Sequence, residues 1–326
     1  MELIKDVLNG KTLALSRVIS IVEGEGKETP RIMKLIYPYI GKAFCIGITG
    51  PPGVGKSTII DKLTTLIRRQ GLTVGILAVD PTSPFTGGAV LGDRIRMQQH
   101  NLDDGVFIRS LATRGSIGGL SQTANEVIKI IDASGRDIIL IETVGVGQSE
   151  LDIMKIADTV IVVLAPESGD VIQTMKAGML EIADIFVLNK SDRPGADTFA
   201  IELQAMLEIH PEQEWWKVPI IAVEAVNNVG IEELCHQIER HRQALSRTGM
   251  LSQRRGQQRR EQFIKRVEQR ITTELLKSIE QDGQLNDYVD KVEKGEIDPY
   301  SAAEEVLKQQ SLLTTLSQRL SAAKTA

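Results

Sequence analysis

The chain has 326 residues, 42% hydrophobic and 25% charged, and its 43 acidic against 38 basic side chains give a formal net charge of −5. These are ordinary globular proportions, and the acidic balance argues against a nucleic-acid partner. No run reaches the roughly 18 uncharged apolar residues of a membrane span, the start MELIKDVLNGK lacks the basic and apolar regions of an export signal, and Cys45 and Cys235 are too few for a disulfide framework, so a soluble cytoplasmic protein with no membrane contact is expected.

The length suits one large domain with smaller additions at its ends. Residues 1–42 read as an N-terminal helical extension. Apolar positions Leu3, Ile4, Val7 and Leu8, then Leu13, Leu15, Val18, Ile19 and Val22, recur at helical spacing on either side of Gly10. A third helix is expected across Pro30–Ile40.

From Phe44 the pattern becomes apolar run, turn, helix, with strands expected at 44–49, 73–79, 106–110, 138–142, 159–165, 184–188 and 218–223. Strands apolar on both faces that alternate with helices imply an α/β fold with a mostly parallel sheet covered by helices on both faces. Ligands on such sheets sit at the carboxyl ends of the strands, and the polar motifs fall there. The first is Gly50, Pro51, Pro52, Gly53, Val54, Gly55, Lys56, Ser57 and Thr58, a G-x-x-x-x-G-K-[ST] loop between a strand and a helix over Lys56–Gln70. Its glycines let backbone N–H groups turn around a phosphate, Lys56 adds positive charge, Ser57 offers a hydroxyl to Mg²⁺, and the helix dipole favours the same anion. The motif marks a P-loop NTPase domain over residues 43–250.

Metal binding needs hard oxygen ligands, and Mg²⁺ takes one or two carboxylates, directly or through water. Glu142 ends the fourth strand before Thr143-Val144-Gly145, Asp80 ends the second, and Asp93 lies in Gly92-Asp93-Arg94. Each acid alone reads equally well as a cap or turn residue; together at strand ends they favour a metal site. Downstream, Asn189-Lys190-Ser191-Asp192 closes the apolar run Ile185–Leu188. A carboxylate at Asp192 accepts from N1–H and the 2-amino group of guanine, neither of which adenine offers, so the site selects GTP. Glu224-Ala225-Val226 stands where GTPases commonly present a Ser-Ala pair to guanine O6 through a backbone N–H, with Glu in place of Ser.

Two further segments are informative. Ser168–Lys176 follows the strand 159–165 on the nucleotide side of the sheet, where a loop can contact nucleotide in one state and a partner in the other; alternatively Asp170 caps a helix and Gln173 and Lys176 lie on its solvated face. After residue 250, Phe263, Ile264, Val267, Ile271, Leu275, Leu276 and Ile279 recur at helical spacing with no strand signal. Residues 251–326 are therefore expected to form a helical arm whose stripe covers the main domain or a second copy of the chain. The cluster Arg254, Arg255, Arg259, Arg260 reads as a solvated helix face.

GPPGVGKST (50–58), AVDPTSPFTGGAVLGDRIRM (78–97), ETVGVGQSE (142–150), APESGDVIQTMKAG (165–178) and NKSD (189–192) together resemble the MeaB/ArgK-type G-proteins, chaperones of cobalamin-dependent acyl-CoA mutases, over essentially the whole chain. The resemblance implies binding and hydrolysis of GTP to GDP, with catalytic roles for Lys56, Asp93 and Glu142 and Mg²⁺ held among Ser57, Asp80, Asp93 and Glu142. It implies a nucleotide-responsive switch at 166–178 with Gln173 and Lys176, a homodimer through the C-terminal helices, and a mutase partner to which the cobalamin belongs. Three other classes compete. A GTPase that inserts metal would need a Cys/His store, and His100, His210, His236 and His241 are scattered. A small-molecule kinase would need an acceptor pocket with a base, and a partitioning ATPase a second lysine where Pro51 and Pro52 stand.

Overall fold

The computed structural model describes residues 2–24, 26, 28–80, 98–100, 102–112, 122–143, 152–166, 178–209, 215–281, 283–309 and five positions between 312 and 318. Asp93, Gln173 and Lys176 lie outside the described residues, and Asp80 is described in its backbone only. The chain divides into two compact units, residues 1–254 and 255–326.

In the first unit, three helices, α1 (Glu2–Leu8), α2 (Thr12–Glu23) and α3 (Thr29–Ile36), precede the sheet. Seven parallel strands follow: β1 (Phe44–Thr49), β2 (Val74–Asp80), β3 (Val106–Ala112), β4 (Ile138–Glu142), β5 (Thr159–Leu164), β6 (Ile185–Asn189) and β7 (Ile220–Val223), in the order β3-β2-β4-β1-β5-β6-β7. The last strand starts later than the sequence pattern suggests because Pro219 has no N–H to give to a ladder. Between the strands run α4 (Lys56–Arg69), α5 (Gln122–Ala133) and α6 (Ala196–Ile209), and α7 (Ile231–Thr248) follows β7.

Alternation along the strands divides the core between the two faces of the sheet. Phe44, Ile46 and Ile48 of β1 join Ile59, Ile60 and Leu63 of α4 and Leu234 and Ile238 of α7. Cys45, Leu77, Val79, Ile139 and Ile141 join Leu15, Val18 and Ile19 of α2 and Val127, Ile130 and Ile131 of α5. The N-terminal extension is thus part of the first unit's core, and Arg109 of β3 pins it further by pairing with Glu23.

The helix α8 (Met250–Gln281) runs from the first unit into the second, where α9 (Gly283–Glu293) and α10 (Pro299–Lys308) follow. Within the second unit Leu275, Ile279 and Tyr288 pack on Val306 and Leu312, whereas Phe263, Ile264, Val267, Ile271 and Leu276 are exposed. The apolar stripe read from the sequence is therefore covered at one end by the chain's own tail. Arg254 corrects another reading. Its guanidinium is not a solvated face but forks onto Asp184, at 2.8 and 2.9 Å. Among the described residues no helix is long and apolar enough to cross a membrane.

Candidate functional site

The sheet places β1 centrally. The chain leaves β1 toward the β3 edge and leaves β4 toward the β7 edge, which opens a crevice at the carboxyl ends around β1. A cleft of about 620 Å³ occupies that position, lined by the loop after β1, the ends of β4 and β6, and the loop after β7.

Residues 50–55 carry the chain from β1 into α4. Gly50 has φ +136°, and a Cβ there would stand 2.0 Å from the Val163 carbonyl oxygen; Gly55 has φ +99°, and its Cβ would stand 2.3 Å from Asn189 Nδ2. A larger residue at Gly50 would push the loop off the β5 backbone, and one at Gly55 would displace the Asn189 amide, so Gly50 is demanded by close approach to backbone and both by their dihedrals. Lys56 opens α4 and is buried. Its ammonium donates to the carbonyls of Gly50 at 2.8 Å and Pro51 at 3.0 Å, bridging the turn it follows. A cation there, beside the N–H groups of the first helical turn, makes a ready anion site.

Next along α4, Ser57 Oγ donates to Glu142 Oε1 at 2.7 Å, and both residues are buried. A hydroxyl and a carboxylate in contact beside a phosphate-type loop form a hard-oxygen donor set that suits Mg²⁺. Thr143 fixes the end of β4, its N–H donating to the Ile48 carbonyl at 3.1 Å and its hydroxyl to Thr49 Oγ1 at 2.8 Å. The structure thus brings Ser57 and Glu142 together, with the β2 terminus at Asp80 in the neighbouring strand, where Ala78 registers with Glu142.

Asn189 ends β6 and acts as a bracket. Its Nδ2 donates to the Val54 carbonyl at 2.7 Å, and its Oδ1 accepts from Ala225 N–H at 3.1 Å. It joins the loops after β1, β6 and β7 into one wall. Lys190 then adopts φ +59°, one of two non-glycine residues with positive φ among those described, and Asp192 lines the cleft. The backbone N–H of Ala225, expected from the sequence to be available to a base, is engaged by Asn189. Glu224 faces the cleft, and its Oε2 accepts from Asn227 Nδ2 at 3.1 Å. Val226, at the tip of the same loop, is 84% exposed.

Sequence reasoning missed Val79, Thr143, Arg193 and Asn227 among the lining residues. Arg193 directly follows the Asn-Lys-x-Asp signature and Asn227 lies three residues beyond Glu224, so adjacency to a motif was the available signal.

A family model described as methylmalonyl Co-A mutase-associated GTPase MeaB matches residues 15–280. A putative GTPase of Pyrococcus abyssi (strain GE5 / Orsay) is 48% identical over 312 residues, covering 94% of this chain and 96% of that protein. The GTPase ArgK of Escherichia coli (strain K12) is 34% identical over 283 residues, covering 84% of this chain and 86% of its own length. A solved structure described as the LAO/AO transport system kinase superposes with a TM-score of 0.69 at 28% identity, over 94% of this chain and 96% of that one.

Proposed function

We propose, for a chain that belongs to the MeaB family of methylmalonyl-CoA mutase-associated GTPases, that GTP hydrolysis gates cofactor loading of, and protects, an adenosylcobalamin-dependent acyl-CoA mutase. The observation that carries this reading is the family match over residues 15–280, which spans every motif of the cleft. The chain is a P-loop GTPase, and the roles assigned to its residues are ours. Lys56 and the backbone of residues 50–58 hold the phosphates, and Asp192 reads the guanine edge. Ser57 and Glu142 hold Mg²⁺ directly or through water, with Asp80 and Asp93 as the further acids. The metal, when bound, neutralises charge on the phosphate oxygens during transfer to water. Positioning and fixed charge do the rest, because the phosphoryl group needs little covalent help.

The segment 166–178 is the coupling device in this reading. A Gln173→Ala, Lys176→Ala double variant should keep nearly normal GTP binding and basal hydrolysis but lose the acceleration of hydrolysis by an acyl-CoA mutase, and should no longer control cofactor loading. Steady-state GTPase assays with and without the mutase decide it; full stimulation of the variant would move the coupling to residues 80–96.

Homodimerisation through the exposed positions Phe263, Val267 and Ile271 completes the proposal. A chain cut after residue 258 should be monomeric and folded, and the full chain dimeric, by light scattering. The cut belongs beyond Arg254, because removing that residue would strip Asp184 of its guanidinium. Equal mass per chain before and after the cut would end the assignment.

A further inference from the structure

A guanine offers three groups on its reading edge: O6 as acceptor, and N1–H and the 2-amino group as donors. Asp192 accepts from the two donors and leaves O6 without a partner, since a carboxylate has no proton to give. The backbone donor expected to serve O6 is Ala225 N–H, but that group has a single proton and Asn189 Oδ1 takes it at 3.1 Å. Two residues on, Asn227 lines the same cleft, and its Nδ2 carries two protons. One goes to Glu224 Oε2 at 3.1 Å.

We propose that the Asn227 carboxamide is a specificity residue of the base site, donating its second Nδ2 proton to guanine O6 while Glu224 holds the amide in the required orientation. The orientation follows from elementary chemistry. An ionised carboxylate only accepts, so the amide must present its NH₂ end toward Glu224, and the remaining proton of that NH₂ is left to serve a ligand. This also gives the glutamate at the position usual for serine a purpose that its charge alone does not suggest. Asn228 follows in the left-handed region at φ +60°, and Glu224 and Val229 exchange backbone hydrogen bonds at 3.0 and 3.2 Å, so the short loop that carries Asn227 is closed on itself. The pair Asp192 and Asn227 then presents acceptors and a donor in the order that guanine needs. Adenine, with an amine at position 6 and an acceptor at N1, meets a like group at both places, and a site built from paired polar groups rejects such a mismatch.

The inference rests on the reading of the cleft as a guanine site, and nucleotide analogues separate the two. With the full chain and Mg²⁺, affinities are measured for GTP, ITP, the triphosphate of 2-aminopurine riboside, which keeps the 2-amino group but has no O6, and ATP. Asn227→Ala should weaken GTP and ITP about tenfold, the scale of one neutral hydrogen bond with its partner left unmet, and change the 2-aminopurine nucleotide less than threefold. Glu224→Ala should show the same pattern at smaller size. Asn227→Asp places an acceptor opposite position 6, so it should weaken GTP and strengthen the triphosphate of 2,6-diaminopurine riboside, which carries an amine there; a merely damaged loop would not gain affinity for any base. Equal losses for GTP and the 2-aminopurine nucleotide, or no loss for GTP, would overturn the role of Asn227 while leaving the guanine site standing. A wild-type chain that binds ATP as tightly as GTP would overturn both.

Discussion

The two ends of this sheet use the same side chain for opposite purposes. At the amino ends, Asp137, just before β4, accepts from Thr73 N–H at 2.7 Å; Asp158, before β5, accepts from Cys45 N–H at 2.9 Å; and Asp184, before β6, accepts from Val160 N–H at 2.8 Å. Asp132 of α5 gathers the N–H groups of Gly41, Lys42 and Ala43 ahead of β1. At the carboxyl ends, Glu142, Asp192 and Glu224 line the cleft instead. The difference follows from the direction of the strands. Where parallel strands begin, the edge of the sheet presents N–H groups, which a carboxylate can satisfy; where they end it presents carbonyls, which a carboxylate cannot. Acids at the carboxyl ends therefore face outward to the loops and to whatever the loops hold. The comparison predicts that acids at the amino ends can be removed at a cost to stability and none to binding, and acids at the carboxyl ends the reverse.

The largest effect should come from Asp184. Beside the Val160 N–H, its carboxylate receives both arms of Arg254 and stands 3.3 Å from His241 Nε2, whose Nδ1 meets Thr159 Oγ1 at 2.8 Å. Trp216 donates to the Asp184 carbonyl, and the rings of Trp215 and Trp216 lie 5.6 and 4.7 Å from the imidazole of His241. Asp184→Ala leaves these partners buried without their anion and should lower the unfolding free energy by about 3–5 kcal/mol. Denaturation followed by the fluorescence of Trp215 and Trp216 reads it, and GTP affinity should stay within about threefold. Burial pushes the Asp184 carboxyl up, but the nearby His241 ring and the hydrogen bonds and charge of Arg254 outweigh it and hold the group at about 2. A depressed folded value stabilises the fold above the ordinary carboxylate range, and the contribution fades as pH falls from about 4 toward 2. It is on the order of 2 kcal/mol, and a pH series on Asp184→Ala should lack that acid limb.

Asp192 tests the other end. Asp192→Asn turns an amide NH₂ toward the donors of guanine, so GTP affinity should fall roughly 10²-fold or more, about 2.7 kcal/mol, while xanthosine triphosphate gains. The melting temperature should scarcely move, since Asp192 is exposed. Retained GTP affinity in a titration would remove Asp192 from the base site. A large fall in melting temperature would break the comparison itself.

Much of this was legible before any coordinates. Seven apolar runs became seven strands, and the loop 50–58, Glu142 and the 189–192 signature came together at one end of the sheet because each lies at the carboxyl end of a strand. The amino-end acids were legible too and were passed over: Asp137-Ile138, Asp158-Thr159 and Asp184-Ile185 each set an aspartate against the first residue of an apolar run. The bracket formed by Asn189 was not, because its partners Val54 and Ala225 lie 135 and 36 residues away. Nor was Arg254. Helical periodicity says which residues share a face, not that one guanidinium on that face meets a buried carboxylate 70 positions earlier.

The smallest effect, and the finest test of the comparison, concerns Asp132. Its two oxygens divide three backbone donors: Oδ2 takes Gly41 N–H, while Oδ1 takes Lys42 at 3.1 Å and Ala43 at 2.9 Å. In Asp132→Asn the oxygen of the amide can keep only one of these two sets. If it stays with Lys42 and Ala43, the new NH₂ group opposes Gly41 N–H; the flipped amide opposes two donors and is worse. The lower-cost orientation leaves one donor facing another in a partly buried site, which should lower stability by about 1 kcal/mol. The same atoms lie at the amino end of β1, and the phosphate loop begins at its other end, so nucleotide affinity should not change beyond error. Thermal melts and GTP titrations on the one variant decide the matter. A variant that melts like the parent but binds GTP poorly would mean that the amino end of β1 takes part in setting the loop, and the division of labour between the two ends would fail at its central strand.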